Sequence, residues 1–288
     1  MTSNILIVGC GDIGVPLGRI LAADNARIWG LRRHPPTFPA VITPICADVT
    51  QPSTLTRLHN LAPDYVVVTL TPAGFDDNSY RRVFVDGLAN VLAALAESPS
   101  LKRLLFVSST SVYHQRDGQW VDEHSETAPT SFSGQRLLQA ERLLADSGVP
   151  HSVVRFAGIY GPGRRRLIEQ VMAKQGCEQQ PVLYTNRIHR DDCVGFLAHL
   201  IHCDRRGDAL QKLYLGVDNE PVSMWELKHW LALQLHIDPA AMTALAPSRR
   251  GSKRCSNRRL LASGYQLLYP DYRKGYGELL RTDDAGRR

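Results

Sequence analysis

The sequence predicts a doubly wound α/β fold, a parallel sheet with helices on both faces, joined to a smaller C-terminal substrate lobe. Three observations predict it. A short apolar run, Ile5 to Val8, turns directly into Gly9-Cys10-Gly11-Asp12-Ile13-Gly14 and then into the periodic stretch Val15 to Leu21. Strand and helix signals alternate from there to about residue 160, as successive βαβ units require. Tyr65-Val66-Val67-Val68-Thr69-Leu70 is rich in β-branched residues at successive positions, the composition of a strand covered on both faces.

After the first strand and helix, Ala26 to Leu31 reads as a second strand, and Val41 to Cys46, followed by Ala47-Asp48-Val49, as a third. Tyr65 to Leu70 is the fourth. Val83 to Ala96 has helical apolar spacing, Leu104 to Val107 is the fifth strand, Leu137 to Leu144 is helical, and Val153 to Phe156 is again a strand. Right-handed crossovers then give a parallel sheet. From Gly161 onward the alternation gives way to basic, proline-containing stretches with one amphipathic helix from Trp225 to Leu235. Residues 1–160 are therefore expected to form a dinucleotide-binding Rossmann domain and 161–288 mainly a substrate-binding lobe, with 187–202 returning to the first domain. Such a lobe would close a cleft over the carboxyl ends of the strands. Thr282 to Arg288 reads as a loose tail.

The glycine turn has the chemistry of a diphosphate site. Gly9 allows the tight turn off the strand, Gly11 lets backbone approach a ligand without a Cβ between, and Gly14 lets the helix pack close. The helix N-terminus at Asp12, Ile13 and Gly14 offers N–H groups and partial positive charge to phosphate. An acid ending the second strand would favour NAD, but the place holds Arg32 and Arg33, with no Asp or Glu between Asp24 and Asp48. Two guanidinium groups suit a 2′-phosphate, so NADP is the expected cofactor, ahead of NAD.

Composition narrows the class. With 288 residues, 43% hydrophobic and 22% charged, the chain reads as an ordinary globular protein. No apolar run approaches the roughly 18 residues of a membrane span, and Ile5 to Val8 is too short for a secretion signal, so a cytoplasmic location is expected. The six cysteines form no C-x-x-C pair and suit a reducing compartment. His199, His202, Cys203 and Cys193 can share a helical face, yet no metal-site spacing accompanies them and no metal is expected. The net charge of +6 is local: Arg164, Arg165 and Arg166 form one basic knot, and Arg249, Arg250, Lys253, Arg254, Arg258 and Arg259 another. A solvated face and a site for an anionic small molecule both fit these knots. No nucleic-acid motif accompanies them.

These segments together resemble the extended short-chain dehydrogenase/reductase superfamily, within it the NAD-dependent epimerase/dehydratase family and its small bacterial YeeZ-like branch. The likeness rests on Gly9 to Gly14, Ala47-Asp48-Val49-Thr50, Phe106 to Tyr113, Gly158 to Gly163 and Arg187 to Asp192, in that order. The resemblance implies that Asp48 and Val49 border the adenine, that Thr69 and Leu70 pass beside ribose and diphosphate, and that Ser108 lies near the nicotinamide. It also implies that Ser109 hydrogen-bonds the reacting carbonyl or hydroxyl; a hydroxyl that merely satisfies backbone at a strand end is the plainer account.

One motif is missing. Active members use Y-x-x-x-K, a tyrosine acid or base whose pKa the lysine lowers from about 10. This chain has no such pair, and no tyrosine or lysine between His114 and Ile159. Aligned from Pro129, Phe132 and Arg136 replace the pair; aligned back from Glu141, Ser133 and Leu137 do. Arg136 is still able to bind a ribose hydroxyl or phosphate, and Tyr113, His114 and His189 are substitutes within reach. Two readings follow. In the first, the chain is an NADP-dependent oxidoreductase, epimerase or dehydratase for a small anionic or nucleotide-linked substrate, with Ser109 catalytic and Tyr160, Arg164, Arg187, His189 and Lys253 on the substrate side. In the second it is an inactive cofactor sensor, as relatives lacking the tyrosine are. Homodimer and monomer both fit.

Overall fold

The computed structural model describes residues 2–96, 98, 100–245 and 251–285, so Arg249 and Arg250 of the second basic knot lie outside the described residues. The chain packs as two compact units. One comprises Met1–Val112, Thr127–Arg155 and Val194–Tyr214; the other Tyr113–Glu126, Phe156–Cys193 and Leu215–Arg288. The division is not a single cut at residue 160: residues 113–126 go with the second unit, and the segment that returns to the first is 194–214, which overlaps the expected 187–202 over 194–202.

The first unit is built on a seven-stranded sheet: β1 (Asn4–Val8), β2 (Arg27–Arg32), β3 (Ile42–Cys46), β4 (Tyr65–Val68), β5 (Arg103–Ser109), β6 (His151–Phe156) and β7 (Leu213–Gly216). Its order is β7-β6-β5-β4-β1-β2-β3, and the ladders β1–β2, β2–β3, β1–β4 and β4–β5 are parallel. The chain runs outward from β1 to β3, then crosses to β4 on the other side of β1. That reversal, between β1 and β4, is where open sheets of this kind bind ligands. Ile5 to Val8 and Val66 to Val68 are fully buried, each side chain worth about 1.5–3 kcal/mol of burial. Pro44 falls in β3, an edge strand, where its missing N–H breaks no inner ladder.

Five helices accompany the sheet: α1 (Gly14–Ala23), α2 (Asp77–Tyr80), α3 (Gly87–Leu95), α4 (Phe132–Asp146) and α5 (Arg190–Arg206). The helix expected from Val83 begins earlier and is interrupted. A π-helical stretch, Arg81–Asp86, joins α2 to α3, and the Gly87 N–H reaches back to the Arg82 carbonyl. A Cβ on Gly87 would lie 2.8 Å from Val49 Cγ2, so the wide turn closes on a residue pressed against the loop after β3. In α5, Asp191 and Asp192 in the first turn and Arg205 and Arg206 in the last both complement the helix dipole.

The second unit pairs short strands: Gly158–Tyr160 with Arg187–His189, Asp117–Val121 with Ser252–Cys255, Gln175–Cys177 with Thr243–Leu245, and Tyr184–Thr185 with Val222–Ser223. Its core gathers Tyr160, Ile168, Leu227, Leu231, Tyr272 and Tyr276. The first part of the expected tail is corrected: Tyr272–Ala285 is a helix, which includes Thr282, while residues 286–288 lie outside the described residues. Tyr272, Tyr276 and Leu279 recur at helical spacing and bury in that core. Gly275 hides the pattern, yet a Cβ there would run into the Tyr160 hydroxyl. No helix among the described residues is long and apolar enough to cross a membrane.

Candidate cofactor and active site

The turn after β1 is forced by its glycines. Gly9 has φ +85, and a Cβ there would lie 2.8 Å from the Thr69 carbonyl oxygen. The Gly9 and Cys10 N–H groups both donate to Leu31 O at 3.0 Å, and Thr69 Oγ1 donates to Gly9 O at 3.0 Å. Thr69 therefore braces the turn with its hydroxyl, and Leu70 backs Gly9 with its Cα. Gly14 packs α1 on β1, with Ile7 Cγ2 2.8 Å from where a Cβ would stand. At Gly11 a Cβ would meet only Gly9 O, in ordinary contact at 3.7 Å. Ile13 at the head of α1 makes no side-chain cap and the first turn holds no acid. A helix N-terminus beside a glycine fits a diphosphate. Cys10 is an inert spacer here: burial pushes its thiol up to about 11, against the pull of Arg32.

Arg32 and Arg33 end β2 exposed, and neither guanidinium has an ion pair or side-chain hydrogen bond among the described residues. At the end of β3, Asp48 Oδ1 accepts from Thr50 N and Thr50 Oγ1, both at 2.9 Å, which folds the loop. Asn90 Nδ2 holds the Val49 carbonyl at 2.9 Å.

Ser108, expected beside the nicotinamide, has its hydroxyl engaged within the protein. Its hydroxyl is buried and donates to Glu141 Oε1 at 2.5 Å, and Arg155 grips the same carboxylate through Nε (3.0 Å to Oε1) and Nη2 (2.6 Å to Oε2). The reason is the pleat: alternate β5 side chains point inward, and an inward hydroxyl needs a buried partner. Ser109 points the other way. Its Oγ accepts from Ser111 N at 3.1 Å, which is the backbone-satisfying role, but that bond uses a lone pair and leaves the hydroxyl proton for a ligand.

Glu141, the position from which one of the two alignments of the missing pair is counted, is held under β5. With Glu141 anchored under β5 and Gly134 pressed to within 2.5 Å of Ser111 O for any added Cβ, α4 cannot slide. Counting back from Glu141 sets Ser133 and Leu137 at the tyrosine and lysine places, and Leu137 is only 4% exposed. Arg136 corrects a second expectation: Nε and Nη2 pair with Asp77 Oδ1 and Oδ2 at 2.7 and 2.8 Å, and Nη1 donates to Gln139. A guanidinium spent on a carboxylate is not offered to a ribose. Phe132 meets Phe75 and Tyr80 edge-on, at centroid distances of 5.1 and 5.4 Å.

In the second unit, Tyr160 and His189 are core residues, not substrate-facing ones. Tyr160 is 1% exposed and stacks on Tyr276 at 4.2 Å, while His189 is 2% exposed between Tyr160 and Tyr269. His189 Nδ1 accepts from Asp191 N at 3.2 Å, and burial lowers its pKa, so the ring is neutral packing. Tyr113 is likewise buried and donates to Asp122 O at 2.7 Å. Arg164 is exposed on the turn that its N–H closes to Gly161 O. Lys253 donates to Tyr113 O at 3.4 Å, and burial pulls its pKa down. Arg187 is half-buried, with Nε unpaired among the described residues. His202 pairs with Asp24 at 2.8 Å and Cys203 Sγ lies 3.4 Å from His199; no metal-holding group of three occurs among the described residues.

Sequence reasoning missed two buried acids. Asp192, fully buried, accepts from Tyr265 Oη, Leu268 N and Tyr269 N at 3.0, 2.7 and 2.9 Å and so ties down the loop before the last helix. Its signal was present in the Arg190-Asp191-Asp192 helix start. Asp218 gave none. Its Oδ1 accepts from Glu220 N at 3.2 Å, its buried Oδ2 has no partner among the described residues, and burial pushes its pKa well above the usual carboxylate range. The native state therefore keeps a proton that the unfolded chain releases near pH 4, and stability falls as pH rises from there. Asp218→Asn removes that loss. Melting temperatures of the two proteins should coincide near pH 4, with the variant leading increasingly toward pH 8; parallel curves, or a trailing variant, would mean that Arg187 holds an ionised carboxylate instead.

The family model for NAD dependent epimerase/dehydratases matches residues 5–201. A protein from Methylobacillus flagellatus, described as a candidate NAD-dependent epimerase/dehydratase, is 43% identical over 99% of this chain and 100% of its own, with a TM-score of 0.85. A functionally unknown conserved protein from Silicibacter pomeroyi is 26% identical over 98% of this chain and 99% of its own, with a TM-score of 0.76. The Bordetella bronchiseptica enzyme WbmG, solved with NAD and UDP, shares the fold at 19% identity over 99% and 96% of the two chains, with a TM-score of 0.81. Among curated proteins none matches. The chain belongs to the NAD dependent epimerase/dehydratase family.

Proposed function

We propose that this protein binds NADP(H) and acts as an oxidoreductase, epimerase or dehydratase on a small anionic or nucleotide-linked substrate. The observation that carries the reading is the pairing of an α1 N-terminus, without a side-chain cap from Ile13 and beside Gly11, with two arginines, Arg32 and Arg33, exposed at the end of β2 and unpaired among the described residues. Gly11 to Gly14 would hold the diphosphate and the two guanidinium groups a 2′-phosphate. WbmG carries NAD, and an acid at the β2 end is what NAD favours; the arginines argue for the phosphorylated form here. When bound, the nicotinamide supplies hydride chemistry. Ser109 keeps its hydroxyl proton for the reacting oxygen, and Arg164, Arg187 and Lys253 give the second unit positive charge for an anion. The six free cysteines fit a reducing, cytoplasmic setting, and neither nucleic acid nor membrane is a partner in this reading.

A second reading is favoured by one observation: Tyr113, Tyr160 and His189 are buried in packing, away from a proton-transfer role, and Leu137, the lysine place when counted back from Glu141, is buried too. On that reading the protein senses cofactor and performs no turnover. Titration with both dinucleotides comes first, and silence toward both at millimolar concentration overturns either reading. Turnover of a carbonyl or sugar-nucleotide panel, read as net NADPH oxidation for an oxidoreductase and as product formed with the cofactor regenerated for an epimerase or dehydratase, and lost about 10²-fold or more in Ser109→Ala, supports the enzyme. Tight binding with no turnover on any panel member supports the sensor.

A further inference from the structure

A dinucleotide with its diphosphate at the turn after β1 and its reactive ring near Ser109, at the end of β5, must cross the end of β4. These three strands are neighbours in the sheet, roughly 4.8 Å apart. The segment leaving β4 carries Phe75, which is 76% exposed, a large apolar side chain left in water. It is nonetheless held. Phe75 meets Phe132 at 5.1 Å and Tyr80 at 5.7 Å, Tyr80 meets Phe132 at 5.4 Å, and Tyr80 rests on buried Phe84 at 5.4 Å. Edge contacts fix the rings and leave ring face uncovered. Phe132 opens α4, the helix whose Gly134 abuts Ser111 and, through it, Ser109. The shelf thus joins the segment that leaves β4, the strand between β1 and β5, to the first turn of α4.

On the cofactor reading above, we propose that Phe75 and Phe132 form an aromatic shelf for the nicotinamide, which holds the oxidised, cationic ring more tightly than the reduced, neutral one. A π face attracts a cation and gains nothing comparable from a neutral dihydropyridine. Neighbouring charge is balanced and leaves the preference to the ring faces: Asp77 pairs with Arg136, Asp86 lies 3.6 Å from Arg81, and Asp76, held ionised by the Ser79 hydroxyl and N–H, offsets exposed Arg82. An apolar shelf in place of a polar ribose clamp turns the nicotinamide end from a catalytic grip into a reader of cofactor charge. It therefore suits both an enzyme that starts from oxidised cofactor and a sensor of the pool.

The test is a set of titrations on the full chain with NADP+, NADPH and adenosine 2′,5′-bisphosphate, for the native protein and for Phe75→Leu, which keeps apolar bulk and removes the ring. The native protein is expected to bind NADP+ about threefold to thirtyfold more tightly than NADPH. In Phe75→Leu the ratio should fall toward one, with affinity for the bisphosphate unchanged. A native ratio near one, or a ratio that survives in Phe75→Leu, overturns the shelf while leaving the cofactor reading intact. If NAD+ and NADH bind instead, the same ratio is read with that pair and the same outcomes apply. Absence of binding by all of these ligands overturns the cofactor reading and the shelf together. Loss of bisphosphate binding in Phe75→Leu marks a disturbed fold, and Phe75→Met then repeats the comparison with a second ring-free side chain.

Discussion

Replacing Arg155 by methionine is expected to destabilise the protein by about 3–5 kcal/mol, because a buried carboxylate loses its cation. Glu141 and Arg155 are both nearly inaccessible, and Ser108 spends its proton on the same carboxylate, so three polar groups share one closed network under β5. Methionine fills similar volume, which separates the charge effect from a cavity. The fall would be read as a lower melting temperature, and Glu141→Gln in the same protein should recover much of it. A double-mutant cycle with coupling near zero would mean that water reaches Glu141 and that the network holds little. The same variant probes α4: if Glu141 moves, the Gly134 contact with Ser111 loosens and so does the backbone that orients Ser109.

Much of the first unit was legible in its sequence because its signals are local. The glycine turn, the β-branched Tyr65 to Val68 and the apolar period of α1 each specify a conformation within a few residues. The candidate diphosphate site was legible for the same reason, since Gly9 to Gly14 make it with little help beyond Thr69 and Leu31. Contacts between distant segments were not. Arg136 reads as a ligand for ribose or phosphate until Asp77, on another helix, is seen beside it, and Ser108 reads as a neighbour of the nicotinamide until Glu141 and Arg155 converge on its hydroxyl. Tyr160 and His189 sit in motif-like segments that suggest a site, but their rings are claimed by Tyr276 and Tyr269 near the far end of the chain. The last helix was hidden because its Gly275 breaks helical propensity, and that glycine is required by the Tyr160 hydroxyl, a constraint that only packing reveals.

Exchanging Arg32 and Arg33 together for alanine is expected to weaken NADPH binding about 30- to 150-fold and to leave NADH binding nearly unchanged. Two charge-assisted contacts to a 2′-phosphate at an exposed site are worth about 1–1.5 kcal/mol each, and tenfold in affinity corresponds to about 1.4 kcal/mol. The fold should be untouched, because neither side chain holds an ion pair or side-chain hydrogen bond among the described residues. Salt gives an independent check: if the arginines meet phosphate, raising ionic strength should weaken NADPH binding by the native protein more than by the double variant. Equal losses for NADPH and NADH would move the arginines from the 2′-phosphate to the adenine face, where a guanidinium stacks on either cofactor. No loss for either would make them a solvated end of β2, and the cofactor assignment would revert to the NAD that the family description names.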